Sequence, residues 1–265
     1  MKVGLYTTAF HAPSITHGQV PPETFSYWYP NDDPDCLLAT AESEHELPAK
    51  GGILWRQEAR WLMPKDWESS PALVLSADKV DVARGAVYLP FVGTWLKEPL
   101  DLTKTGMACM IASAKATKGI EGYAVRKSVR GMLGMYWPHG FGRLFGRPIE
   151  DKGDVLGPYR FSIAVESQKY PWYHSEKLFD CFAAKAVPLY WGCDDFTKLT
   201  EWGYDPAGIL PWTTPEELAH LVGSLSVERY EAMRAAIHAN YERTKELYCT
   251  EVALEKVLRE ALCLA

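Results

Sequence analysis

The residues whose types and spacing carry the most chemistry lie in Tyr159–Gly192, YRFSIAVESQKYPWYHSEKLFDCFAAKAVPLYWG. A β-favouring run ends on Glu166, and a loop with Tyr170, Trp172 and Tyr173 follows. Ser175-Glu176-Lys177 then opens an apolar helix that leads into a second run, VPLYW. Ser175 suits an N-cap, and a helix start offers an anion both backbone donors and the positive end of its dipole. Lys177 adds a full positive charge there, while Glu166 and Glu176 can accept hydrogen bonds from hydroxyls. Strand, polar turn and helix is the arrangement by which open α/β sheets bind ligands at the carboxyl ends of their strands. Phosphate at Lys177 with hydroxyls at Glu166 and Glu176 describes a sugar nucleotide. The same residues also read as an ordinary helix cap with solvated charges.

The elements needed to position this segment are legible around it. Met1–Thr8 reads as an opening strand, and the Pro-rich stretch His11–Asp35 disfavours long regular elements. Gly51–Trp55, Ala72–Ser76 and Ala86–Val92 are short apolar runs that suit buried strands. The composition then changes. Met107–Ser113 reads as a strand and Gly122–Leu133 as a helix with Arg126 and Arg130 one turn apart. Met135–Tyr136 reads as a short strand, and His139–Arg147 (HGFGRLFGR) as a glycine-rich basic loop. Further helices are expected over Ser175–Ala186, Pro215–Leu225 behind Thr214 as cap, Val227–Tyr248 and Val252–Leu262. Ile209–Leu210 is a short apolar step. Strands alternating with helices imply βαβ units and a parallel sheet.

Composition bounds the class. The chain has 265 residues, 47% apolar and 23% charged, which excludes disorder, collagen and coiled coil for the whole. Its net charge of −6 argues against general nucleic-acid binding. No apolar run is long enough for a membrane span, and the N-terminus lacks a signal-peptide pattern. Six cysteines without a C-x-x-C pair read as free thiols in a reducing compartment. Ten Trp and 14 Tyr leave two readings, core filling or ligand-facing aromatic surfaces.

The segment resembles the donor-binding motif of glycosyltransferase family 10, the α-1,3/1,4-fucosyltransferases. The matching pieces are YRFSIAVES, YHSEKLFDCFAA and AVPLYWG. Ala112-Ser113 followed by Arg126 and Leu133, the Gly140–Gly146 loop with Arg143, and WRQEARW upstream extend the likeness from Ile53 to about Val222. Three positions depart from the family pattern: Ser167 and Ala114 stand where Asn is usual, and Ser175 where Thr is usual.

The resemblance implies an α/β, GT-B-like architecture of two Rossmann-like domains with a cleft between them and a C-terminal helical tail. Residues 1–103 would form the acceptor side and residues 104–265 the nucleotide-sugar side. It implies an inverting transfer of L-fucose from GDP-L-fucose to a hydroxyl of an N-acetylglucosamine-containing glycan, in α-1,3/1,4 linkage. Lys177, Arg143 and Arg126 would face the diphosphate. Glu166, Glu176, Ser167 and Tyr173 would meet sugar, ribose or nucleotide. Glu58 would be the base, with Glu68 the alternative. The D-x-D of Asp33 and Asp35 lies far from the donor motif and suits a turn, and Asp194-Asp195 follows Gly192-Cys193. Neither a metal nor a cofactor is expected. The pattern of a bacterial or viral type, working in the cytoplasm, fits a chain without a visible anchor. Two alternatives remain: the same fold using another nucleotide sugar, motivated by Ser167, and a non-catalytic glycan- or nucleotide-binding module.

Overall fold

The computed structural model describes residues 3–6, 25–27, 36–40, 52–56, 71–90, 92–97, 100–134, 139–248 and 250–261. They fall into two compact units, Met1–Val92 with Leu247–Ala265, and Gly93–Glu246.

The first unit holds β1 (Val3–Tyr6), β2 (Phe25–Tyr27), β3 (Cys36–Thr40), β4 (Ile53–Arg56), β5 (Leu73–Ser76), α1 (Lys79–Ala83) and β6 (Val87–Tyr88). The strands form a parallel sheet in the order β2-β1-β3-β4-β5-β6. Strand β4 is buried at every position, which explains its unbroken apolar run, ILW. Asp78 caps α1, its carboxylate accepting from the amides of Val80 (2.7 Å) and Asp81 (3.3 Å).

The second unit runs β7 (Gly106–Ile111), α2 (Glu121–Leu133), β8 (Gly140–Phe141), α3 (Gly153–Leu156), β9 (Tyr159–Val165), α4 (Glu176–Ala183), β10 (Val187–Trp191), α5 (Thr197–Glu201), β11 (Leu210–Pro211), α6 (Pro215–Gly223), α7 (Val227–Ala232) and α8 (Arg234–Glu246). Its sheet is also parallel, in the order β11-β10-β9-β7-β8. The inner strands bury Phe161, Ile163, Val187 and Leu189 in one cluster with Val129 of α2 and Leu218 of α6. Thr214 caps α6 with Pro215 in the first turn, as the sequence led one to expect, and Glu217 completes a capping box with it.

Several expectations are corrected by the structure. The helix read over Val227–Tyr248 is broken at Met233 into α7 and α8. Strand β8 sits within the glycine-rich stretch read as a loop, while β2, three residues in the Pro-rich stretch, is the short element that stretch allows. The compact units part at 92/93 rather than at 103/104, because the intervening segment packs on the second unit. There Thr94 Oγ1 and the Trp95 amide donate to Asp180 on α4, at 2.9 and 2.7 Å. The last helix, α9 (Thr250–Ala261), belongs to the first unit and buries Ala253, Leu254, Val257 and Leu258 along one stripe. Among the described residues, no helix is long and apolar enough to cross a membrane. Met135–Tyr136 lies outside the described residues.

Candidate functional site

In the second unit the connection from β7 leads to β8 on one side, while that from β9 leads to β10 on the other. Between them lies a topological switch point, where open parallel sheets leave a crevice beyond their strand ends. Two strand ends meet there: Ala112-Ser113 after β7 and Glu166-Ser167 after β9.

The glycine-rich loop is fastened to the first of these. The Ala112 amide donates to Phe141 O (3.0 Å) and the Leu144 amide to Ala112 O (3.1 Å). Gly142 has φ +86, and a Cβ there would lie 2.4 Å from Ala112 O, so both its conformation and its space require glycine. The one-turn helix Arg143–Phe145 buries Leu144 and Phe145 and leaves Arg143 exposed, with no side-chain partner among the described residues.

Helix α2 is pressed against the second strand end. The Gly122 amide donates to Ser167 O (2.9 Å), and a Cβ on Gly122 would stand 1.9 Å from Glu166 O. This close approach brings in Arg126, one turn along the helix. Its Nε and Nη2 donate to Val165 O at 3.1 and 2.6 Å. Nη1 has no partner among the described residues. Burial makes the charge of Arg126 harder to hold, and the nearby Glu166 carboxylate opposes that effect.

Glu166 is fully buried. Its Oε1 accepts from the Ser175 amide (3.0 Å) and the Tyr190 hydroxyl (3.2 Å), and its Oε2 from Ser175 Oγ (2.6 Å). Lys177 Nζ lies 3.5 Å from the same Oε2. The helix start that the sequence offered to an outside anion is therefore partly filled by the protein's own carboxylate. Ser175 is the N-cap of α4, as expected. Lys177 Nζ also donates to Ser175 Oγ (2.9 Å) and Glu176 Oε1 (3.0 Å), and its side chain keeps 29% exposure. Burial works against its charge, but Glu176 and Glu166 outweigh that and hold the ammonium firmly protonated. Burial likewise opposes ionisation of Glu176, yet Lys177 and Lys152 bring its carboxyl down to about 2.

Tyr173 is drawn into the same group: burial, then the nearby Glu166 carboxylate, hold its phenol protonated well above the usual range. Arg126, Glu166, Tyr173, Glu176 and Lys177 thus stand together electrostatically, with Ser167 beside Tyr173. Glu166, expected to meet ligand hydroxyls, is fully buried beneath the first turn of α4 with its carboxylate accepting from Ser175 and Tyr190. Residues unsuspected from sequence support the group. Gly122 sets the helix approach, and Lys152 reaches Asp180 (2.7 Å) and Glu176 (3.9 Å). A lone Gly at a helix start and a Lys in a turn carry no periodic signal.

The aromatics divide. Tyr190, Trp191 and Trp55 are 1%, 2% and 2% exposed, and their rings are core rather than ligand surface. Trp172, with φ 66, is half-buried, and its indole donates to Asp195 (2.9 Å). Asp195 also accepts from the Thr197 amide, and Asp194 pairs with Lys169 at 2.9 Å. Cys109, Cys181 and Cys193 are buried free thiols. Glu58, Glu68, Asp33, Asp35 and Trp61 lie outside the described residues.

No protein-family model and no curated protein sequence matches the chain significantly. Solved structures do. One, an α1,3-fucosyltransferase, has a TM-score of 0.58 at 14% identity over 91% of this chain and 80% of its own. Another, an α1,3-fucosyltransferase with GDP, has 0.59 at 13% identity over 97% and 89%. Two parallel α/β sheets and a match over most of both chains give this protein the fold of the α1,3-fucosyltransferases.

Proposed function

We propose that the chain is a glycosyltransferase that takes L-fucose from GDP-L-fucose and delivers it, with inversion, to a hydroxyl of an N-acetylglucosamine-containing glycan. The observation that carries this reading is Lys177. It is a part-exposed ammonium at a helix start, beside the switch point of a parallel sheet and backed by Arg126. The donor-motif resemblance and the fold of a fucosyltransferase with GDP support the same reading.

The residues divide the work. Lys177, Arg126 and Arg143 offer positive charge where the leaving diphosphate gains negative charge. Glu176, charged at any pH above about 2, accepts from sugar or ribose hydroxyls. Tyr173 and Ser167 border the sugar or nucleotide. The acceptor oxygen attacks the anomeric carbon as the bond to the diphosphate oxygen breaks, and the acceptor's proton passes to a carboxylate, assigned to Glu58. GDP departs with the bonding electrons. Three basic side chains provide the charge that a divalent metal would otherwise bring, so turnover is expected to survive a chelator.

The test is calorimetry with GDP followed by turnover of GDP-fucose over a panel of lactosamine acceptors. GDP-mannose and UDP-sugars run alongside, because Ser167 replaces an amide in the donor motif. Turnover with GDP-fucose alone supports the proposal. Turnover with another sugar moves the donor, and GDP binding without turnover makes the chain a binding module.

A further inference from the structure

Behind the residues that face the donor, a chain of polar side chains runs inward. His174 Nδ1 lies 3.2 Å from the Tyr190 hydroxyl, which lies 3.2 Å from Glu166 Oε1. His174 and Tyr190 are 3% and 1% exposed and Glu166 is fully buried, so none of the three reaches a ligand. We propose that His174 and Tyr190 are positioning residues. Through Glu166 they fix the Lys177 ammonium where the diphosphate is bound, which rests on the donor-site reading of Lys177.

The protons settle the direction of the chain. A carboxylate only accepts, so the Tyr190 hydroxyl donates to Glu166. Its oxygen is then left to accept from Nδ1–H of His174. The imidazole is therefore neutral with its proton on Nδ1, and Nε2 is a bare lone pair, which matches the absence of a partner for that atom among the described residues. A proton on Nε2 would be a buried donor with nothing among the described residues to receive it. The ring is held by stacking on Phe196, with centroids 6.0 Å apart and planes 19° apart. From the other side, a Cβ on Gly192 would stand 2.6 Å from the Tyr190 oxygen and 2.8 Å from Glu166 Cγ. The backbone thus closes on the pair.

Glu166 transmits this order outward. Tyr190 and the Ser175 amide share Oε1, which fixes the carboxylate plane and so the place of Oε2. Oε2 holds Ser175 Oγ, and Ser175 Oγ with Oε2 holds Lys177 Nζ. Losing the Tyr190 hydroxyl frees the carboxylate to turn. The ammonium then loses its fixed anchor while keeping its charge.

The test compares GDP with guanosine, which lacks the diphosphate. Tyr190→Phe is expected to weaken GDP about ten-fold and leave guanosine within about two-fold. His174→Leu is expected to weaken GDP about three-fold, and His174→Asn, which keeps a donor near Nδ1, to restore it. In the ligand-free protein, acetylation of Lys177 by acetic anhydride is expected to rise several-fold in Tyr190→Phe relative to the exposed Lys115. Equal losses for GDP and guanosine would mean a merely structural role and overturn the proposal, as would unchanged Lys177 labelling. Should Tyr190→Phe fail to fold, the His174 pair decides. Should the parent chain bind no GDP, the donor reading fails, and the labelling alone decides the relay.

Discussion

Each unit carries a charged cluster at the carboxyl edge of a parallel sheet, and the two clusters are built to opposite ends. In the first unit Arg56, at the end of β4, donates to Asp81 Oδ2 at 2.7 Å, and Ser76 Oγ, at the end of β5, donates to the same oxygen at 3.0 Å. Both side chains of that ion pair are 0% exposed. In the second unit Glu166 is as deeply buried, but the cation above it, Lys177, keeps 29% exposure. Similar topology and similar chemistry thus yield one cluster closed on itself and one that presents charge outward. Exposure of the cation, rather than the presence of an ion pair, separates a structural charge from one available to a ligand.

The largest expected effect breaks the closed cluster. Asp81→Asn removes the charge that the buried Arg56 guanidinium meets at 2.7 Å and should lower the unfolding free energy by about 3–5 kcal/mol in urea, with GDP affinity unchanged. A loss of GDP affinity at full stability would make that cluster part of a binding site.

The next effect is a pH dependence inside the open cluster. Burial brings the His174 imidazole down to about 4, against about 6.5 in an unfolded chain. Between those values the unfolded chain binds a proton that the fold refuses. Stability should therefore be complete above pH 6.5 and decline by about 3 kcal/mol as the pH falls to 4. Urea midpoints at pH 7 and 4.5 should show this slope in the parent and a flatter one in His174→Asn.

Lys177→Ala sharpens the contrast from the ligand side. GDP affinity should fall about a hundred-fold, while the unfolding free energy changes by less than about 1 kcal/mol, as suits a part-exposed pair. Unchanged affinity in calorimetry would remove Lys177 from the donor site. The smallest effect is a control remote from both clusters. Thr214→Ala deletes the α6 cap and should cost about 1 kcal/mol without touching GDP binding.

Much of the second unit was legible because its inner strands are largely buried on both faces and read as apolar runs, interrupted in Tyr159–Val165 by Arg160 and Ser162. Tyr159–Val165 and Val187–Trp191 are recovered within a residue. The start of α4 was legible through Ser175, a side chain with one strong local preference. Strand β8 was not, since two residues in a glycine-rich loop carry no period. Nor was the role of Glu166 as an inward anchor, because burial is decided by how α2 and α4 close over the strand end. Gly122 shows why: its need for glycine arises only where Glu166 O approaches, 44 residues along the chain (166 − 122). Tyr190 and Trp191 of β10 could not be assigned from sequence for a related reason, since an aromatic beside a site and one beneath it have the same sequence.

The placement of α9 has a consequence for synthesis. The first unit is made of two separated stretches, and its helix α9 follows the second unit in the chain. The second unit is one continuous stretch within them. On the ribosome the first unit therefore cannot be completed until the whole second unit has been made, because α9 follows it in the chain. The second unit, one continuous stretch, can finish folding during that interval.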